Sequence, residues 1–468
     1  MAGKNKMQLN PDILLNLQGI IESGPNHMRR IPIMLLAFYF TANSFSQTED
    51  LNERIFSIIK GITGKYEAIY KDLHQNPELS LMEFETAAKM ARNLESLGFE
   101  VTESIGGNGV VGVLRNGEGK TVMLRTDMDA LPVRETTGLD YASKVMIKDA
   151  SGNEVPVMHA CGHDLHMAVW LGVLNTLVNM KDHWNGTIVA VAQPAEEIGA
   201  GARDMLNDGL FERFPVPDYA LAYHVSADMP AGSVGYFPGP IFAGVRSVDL
   251  KIQGSGGHGA MPHTTVDPIV LSARIILDLQ TIVSREINPV KPAVVSVGSV
   301  QGGTRHNIIP EEVNLMLTIR FFEDDIYRQI IDAISRISHG AAIAAGLPED
   351  KMPVITFSDQ LTPPTVNDAD LVLNSVGSMR NILGQDKVWQ VDPMTVAEDF
   401  GRYGRTSENI PVALFWLGGV NHELYQDHLE SDTFLPPLHN SAFVPDFQPS
   451  FTDGVAAMSR TILDIFNR

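Results

Sequence analysis

Thr187-Ile188-Val189-Ala190-Val191-Ala192-Gln193-Pro194-Ala195-Glu196-Glu197 is the stretch on which the fold turns. Its apolar half is rich in β-branched residues, carries no charge and reads as a buried strand. It stops at a proline turn that presents two adjacent carboxylates. The same texture recurs on either side. Thr121–Leu124 is a short β-rich run that ends at Arg125-Thr126-Asp127-Met128-Asp129, and Tyr219–Tyr223 is another that ends at His224. Leu165–Leu177 carries helical periodicity between them. Strand, polar tip, helix, strand, polar tip predicts an α/β domain. Open α/β sheets bind ligands beyond the carboxyl ends of their strands, where all three polar tips fall.

Upstream, Ile55, Ile58, Ile59 and Ile62 recur at helix spacing, and Glu83–Leu97 repeats the pattern after the loop around Pro77. Val110–Leu114 and Thr121–Leu124, joined by Asn116-Gly117-Glu118-Gly119, read as a hairpin. Downstream the texture changes. Val248–Ile252 (strand), Pro268–Ser284 (helix), Ala293–Val300 and Val313–Phe321 (strands) and Ile326–Ala345 (helix) give the order of a small α+β sandwich inserted into the larger domain. Its flanks, Gly232–Gly244 and Leu361–Val366, are rich in Gly or Pro and suit hinges. Strand Val412–Leu417 and helix Thr452–Phe466 return to α/β texture. The expected division is an extension over 1–46, a catalytic domain over 47–243 and 363–468, and an insertion over 244–362.

A chain of 468 residues, 44% of them hydrophobic, has ample material for two compact domains. Its 56 acidic against 35 basic residues leave a net charge of -21, which repels a phosphate backbone or an anionic lipid surface and argues against nucleic acid as a partner. Met28-Arg29-Arg30, the apolar run Ile31–Phe40 and Ser44-Phe45-Ser46 have the layout of a secretory signal that starts at an internal methionine. Export to the periplasm or medium, with a mature start near Gln47, is the expectation; a cytoplasmic protein is the alternative. No segment is long and apolar enough to keep the mature chain in a bilayer.

Cys161 is the sole cysteine, so no intramolecular disulfide forms. It sits in His159-Ala160-Cys161-Gly162-His163-Asp164, at the entrance to a helix. Thiolate and imidazole suit Zn, Mn, Ni or Co. The same pair could instead be a nucleophile and its base, as in a thiol hydrolase. In Glu196-Glu197 one carboxylate can bind a cation while its neighbour takes a proton from attacking water, the division that hydrolysis needs. A Glu-Glu pair is by default a solvated surface feature; His224 at the next strand tip argues otherwise. His439, in Pro436-Pro437-Leu438-His439-Asn440-Ser441, lies on a turn. Asp127 and Asp129 share a strand face and could orient a ligand histidine, with a structural salt bridge as the alternative for Asp127. Gly254-Ser255-Gly256-Gly257-His258-Gly259-Ala260 surrounds His258 with small residues, where it could steady an oxyanion. Asn307 and Arg320 could hold a substrate carboxylate, and a surface ion pair is the alternative for Arg320.

Together, the runs Arg125–Pro132, His159–Asp164, Gln193–Glu197, Tyr223–Val225, Gly256–Gly259 and Leu438–Asn440 resemble the aminoacylase/carboxypeptidase-like metallopeptidases. The nearest branch holds hippurate hydrolases, auxin-conjugate hydrolases and N-acetyldiaminopimelate deacetylases, and the likeness covers Asp50 to the C-terminus. It implies a mixed-sheet α/β/α catalytic domain interrupted by a ferredoxin-like lid that mediates dimerisation. It also implies two divalent metal ions on Cys161, His163, Glu197, His224 and His439. Glu196 matches the general base, His258 matches a lid histidine sometimes supplied by the partner subunit, and Asp129 joins them in the catalytic set. The activity implied is hydrolysis of N-acyl amino acids or related small amides. A dipeptide carboxypeptidase and a non-catalytic binding protein for amino-acid conjugates are the alternatives. Ser143–Glu154, ahead of the metal loop, looks longer than in compact members and could reshape substrate entry.

Overall fold

The computed structural model describes residues 31–149 and 151–468, with side chains from Asp50 onward. Met28–Arg30 of the expected export signal lie outside the described residues, and Ile31–Ser46 are described as helix backbone only. The chain divides into a unit ending at Arg54 and a compact unit from Ile55 to Arg468. No helix of the described residues is long and apolar enough to cross a membrane.

The helices that matter for the site are α1 (Ile31–Gln75), α2 (Phe84–Ser96), α3 (His163–Val178), α4 (Pro268–Thr281), α5 (Asp324–Ala344), α6 (Ala369–Leu383) and α7 (Phe447–Phe466). The strands are β1 (Glu100–Ile105), β2 (Gly109–Asn116), β3 (Thr121–Asp127), β4 (Gly186–Gln193), β5 (Tyr219–Pro230), β6 (Val234–Tyr236), β7 (Gly244–Gln253), β8 (Ala293–Gln301), β9 (Glu312–Phe321), β10 (Val354–Thr362), β11 (Val388–Gln390) and β12 (Val412–Val420). A mixed eight-stranded sheet runs β1-β2-β4-β3-β5-β12-β6-β11. Its centre, β4-β3-β5-β12, is parallel, and strands this apolar must be covered on both faces. On one face α3 is buried almost all round, as a helix apolar on every side must be. Gly172 lets α7 close on it, since a Cβ there would come within 2.6 Å of Val455. On the other face Met123, Val189, Val191, Ala220 and Ala222 pack against Phe400 and Tyr403.

Two local expectations are corrected. The Asn116–Gly119 turn does not close a hairpin, because β4 lies between β2 and β3, antiparallel to the first and parallel to the second. Turn residues report that the chain reverses, not which strand becomes its neighbour. The strand through His224 also continues to Pro230, because pairing with β12 outlasts the pairing with β3, which ends at Arg125↔Ala222. His224 therefore sits where β5 has lost one neighbour.

A second, antiparallel sheet has the order β8-β9-β7-β10. With α4 and α5 it follows the β-α-β-β-α-β sequence of a ferredoxin-like sandwich. Strand β10 completes it, in a stretch with no clear strand pattern. Val248, Leu250, Ile252, Leu315, Leu317 and Ile319 alternate onto the helix-facing side and pack with Ile275, Leu279, Ile330 and Ile334. Residues between them, including Val245, Ser247 and Arg320, occupy the other face.

A candidate metal centre

The chain ends of β3, β4 and β5 and the N-terminus of α3 bring the donors together. Gly162 has φ +77, and a Cβ there would lie 2.6 Å from Val225 Cγ1, so glycine is what lets Cys161 and His163 turn toward one point. Cys161 Sγ lies 3.5 Å from His224 Nε2 and 3.3 Å from His439 Nε2. His439 Nε2 is 3.6 Å from Glu197 Oε2, and His163 Nε2 is 3.8 Å from Glu197 Oε1. Cys161, His163 and His224 form one cluster, and Cys161, Glu197 and His439 form a second that shares the thiol. Bonds of about 2.1 Å to nitrogen and about 2.3 Å to sulfur at tetrahedral angles put N and S about 3.6 Å apart, close to the separations seen here.

The protonation pattern fits the same use. His224 Nδ1 donates to its neighbour Val225 O at 2.9 Å, which leaves Nε2 with a free lone pair facing Cys161. His163 Nδ1 lies 3.4 Å from Asp129 Oδ1, and neither of its ring nitrogens nor Glu197 Oε1 has a hydrogen-bond partner among the described residues. Orphaned buried donors and acceptors are costly, and a cation between them removes the cost. His166 is different. Its Nδ1 donates to Asp127 Oδ1 at 2.7 Å and its Nε2 accepts from Val225 N–H at 2.7 Å, so both nitrogens are used and it acts as a support for the segment carrying His224.

Asp127 accepts from Arg125 as well, at 2.7 Å, the salt bridge given as its alternative, while the histidine it holds is His166 and not one of the predicted ligands. Arg125 also donates to Glu398, Asp399 and Gln193. Glu196, Glu398 and Asp399 cluster closely enough to suggest another cation site, but the buried Arg125 guanidinium already serves Glu398 and Asp399. Asp129 holds the other end: it accepts from Ser80 Oγ at 2.6 Å, Glu196 N at 3.2 Å and Glu197 N at 3.0 Å. Glu83 accepts from Ala195 N at 2.8 Å, fixing a residue with φ +51. His439 has φ +66 and donates its N–H to Ala160 O at 2.8 Å. Positive φ at a non-glycine residue is strain that the surroundings must impose, and here both instances aim site residues.

Burial, then Glu398 and Glu197, pushes the Glu196 carboxyl well above its ordinary range, and burial pushes Glu197 to about 7. Burial and the same acids push the Cys161 thiol up. His163 is raised to about 10, because Asp127, Asp129 and Glu197 outweigh burial. The whole set is a well of negative charge, the field a pair of dications would satisfy.

A cavity of about 490 Å³ opens over these residues. Cys161, Glu196, Glu197, His224, Glu398 and His439 form its floor, and Val245, Ser247, Arg320, Ser358, Gln360 and Thr362 of the second sheet form its opposite wall. Arg320 thus lines the site. His258 and Asn307 do not: they sit together in a separate, open groove, with His258 on a two-residue strand paired to Ile308–Ile309.

With this geometry in view, the family model of peptidase family M20/M25/M40 matches residues 123–435. The chain belongs to that family. It is 35% identical over 408 residues to thermostable carboxypeptidase 2 of Saccharolobus solfataricus, covering 85% of this chain and 94% of the relative. It is 35% identical over 391 residues to hippurate hydrolase of Campylobacter jejuni, covering 82% and 93%. A solved Bacillus subtilis structure, a dinuclear metal binding peptidase from the M20 family, superposes with a TM-score of 0.70 at 28% identity, covering 87% of this chain and 99% of that one.

Arg125, Glu83, His166, Glu398 and Asp399 are the site members not assigned from sequence. His166 had a signal, three residues after His163 on one helix face. Glu398 and Asp399 had none, being 273 and 274 positions from Arg125.

Proposed function

We propose that this protein is a di-metal amidohydrolase that cleaves N-acyl amino acids. The observation that carries the reading is the pair of donor clusters sharing Cys161, with Glu196 close enough to group with His163 and Glu197 yet outside both of them. Cys161, His163 and His224 would hold one cation, and Cys161, Glu197 and His439 the other. When bound, the cations supply Lewis acidity toward the amide carbonyl and lower the pKa of water toward ~7. Glu196 takes the proton of the attacking water and returns it to the departing amine. Asp129 positions Glu196 through its backbone N–H. Arg320 is half-buried and pairs with no carboxylate among the described residues, so a free substrate carboxylate is the partner its position favours.

The relatives support this substrate class, since hippurate is itself an N-acylated glycine. The carboxypeptidase relative keeps dipeptides as a second reading, because a peptide C-terminus offers Arg320 the same carboxylate. A thiol hydrolase is disfavoured: although His224 and His439 face Cys161, burial and then the carboxylates of Glu197, Glu196 and Asp127 hold its thiol up, the reverse of an activated thiolate. We read the 244–362 sandwich as the lid and dimerisation element, with His258 and Asn307 completing the cavity of a second copy, and Met28–Ser46 as an export signal.

The test is release of amino acid from N-acetyl, N-benzoyl and indoleacetyl substrates by the wild type and Glu196→Gln. The variant keeps its metal content and loses about 10² or more in turnover, as loss of a general base requires. Unchanged turnover removes Glu196 from the role.

A further inference from the structure

The wall opposite the metal donors contains an irregularity. Strand β10 pairs Thr362 with Val245 and Leu361 with Arg246, but the next pair is Phe357 with Val248. Ser358, Asp359 and Gln360 therefore stand against the single residue Ser247. Such a bulge breaks the alternation of faces and re-aims side chains, and bulges concentrate beside active sites. Here Ser358 and Gln360 both line the cavity, together with Ser247. Ser358 Oγ is committed to backbone, donating at 3.1 Å to Gln360 O or at 3.3 Å to Ser247 O. It braces the bulge. Gln360 and Ser247 are both exposed and line the cavity, and the Gln360 amide makes no hydrogen bond to protein among the described residues, so it is free to meet a ligand.

Arg320 fixes the scale. It is paired to Val245 across β9 and β7, and Thr362 pairs to Val245 from the other side. The three form one rung across adjacent strands, each about 4.8 Å apart. The bulge lies one rung away on the β10 side. A ligand whose carboxylate meets Arg320 thus has its next few atoms over Val245 and a side-chain terminus at Gln360. The bulge end offers amide and hydroxyl groups and no second cation, since Arg320 is the only lysine or arginine lining the cavity among the described residues.

We infer that Gln360, held out by the Ser358–Gln360 bulge, is a specificity residue that selects amino-acid leaving groups with a neutral hydrogen-bonding side chain, amide or hydroxyl, over aliphatic and acidic ones. This rests on the reading of the cavity as the amidohydrolase site. Gln360 is exposed, so water serves its amide in the free protein; a polar substrate side chain exchanges that water for a direct hydrogen bond, an aliphatic one displaces it without replacing the bond, and an acidic one meets no balancing charge.

The experiment compares kcat/KM for N-acetylglutamine, N-acetylleucine and N-acetylglutamate in the metal-loaded wild type, Gln360→Leu and Gln360→Glu. The wild type prefers the glutamine substrate. Gln360→Leu lowers the glutamine-to-leucine ratio by about five- to tenfold, the worth of one or two neutral hydrogen bonds. Gln360→Glu lowers the glutamate-to-glutamine ratio further. Hydrolysis with ratios indifferent to position 360 overturns this inference alone. No hydrolysis of any N-acyl amino acid by the metal-loaded wild type overturns the reading of the cavity and the inference with it.

Discussion

Asp129→Asn tests how the catalytic loop is held. In the wild type the two carboxylate oxygens divide the work: Oδ1 accepts from Glu196 N, while Oδ2 accepts from Glu197 N and Ser80 Oγ. An asparagine keeps the shape but offers one acceptor oxygen and one N–H₂, so in either orientation one backbone N–H faces a donor. Losing a hydrogen bond to a charged acceptor costs about 1.5–3 kcal/mol, and leaving a buried N–H unsatisfied costs about 1–3 kcal/mol. The two overlap, so about 2–4 kcal/mol is the expected loss of stability. The loosened N–H groups belong to the base and to a ligand, so turnover and metal affinity should each fall by about 10- to 100-fold, as for other groups that support metal ligands. Equilibrium urea unfolding, metal content after dialysis and turnover at saturating metal read the three effects. A variant within about 0.5 kcal/mol of the wild type, typical of an uninvolved surface site, with unchanged turnover would refute the assignment.

Three further outcomes follow from the same geometry. Arg320→Ala should raise KM by about 10- to 100-fold with little change in kcat, since a charged hydrogen bond worth about 1.5–3 kcal/mol is lost from binding; an unchanged KM places the carboxylate elsewhere. His74 is buried between Asp164 at 2.7 Å and Glu135 at 3.1 Å, whose hydrogen bonds outweigh burial and raise it to about 10. A raised folded-state pKa gives stability that is complete below the unfolded value of about 6.5 and is lost as pH rises through about 10, so the thermal midpoint should decline across that window and His74→Gln should flatten the decline. Mixing inactive His258→Ala with inactive Glu196→Gln should restore part of the activity if each supplies what the other's cavity lacks; no recovery in a verified mixed dimer argues that His258 serves no neighbouring site.

The α/β frame was legible because Thr187–Ala192 and Leu165–Leu177 carry unambiguous periods, and Cys161, His163, Glu197 and His224 were legible because they enter or end such elements, whereas His439, on a turn, was reached only through the resemblance. What escaped depended on distant partners. Nothing in Asn116–Gly119 tells that Gly186–Gln193 will insert between the strands it joins. The Arg125 network joins β3 to Glu398 and Asp399 at the start of a short 3-10 helix, Asp399–Arg405. Ala195 and His439 take positive φ without the glycine or asparagine that usually marks it, because Glu83 and the Ala160 carbonyl impose it from outside. Asp127 and Asp129 were visible as a pair, but their division of labour, one bracing His166 and the other the Glu196–Glu197 loop, comes only from packing.

Elemental analysis of the purified protein, paired with amino-acid release before and after chelation and after metal is restored, tests the central claim most directly. About two divalent metal ions per chain, with release that disappears on chelation and returns on reloading, is the expected result. Metal-free protein whose activity survives chelation but not alkylation of Cys161 would contradict it.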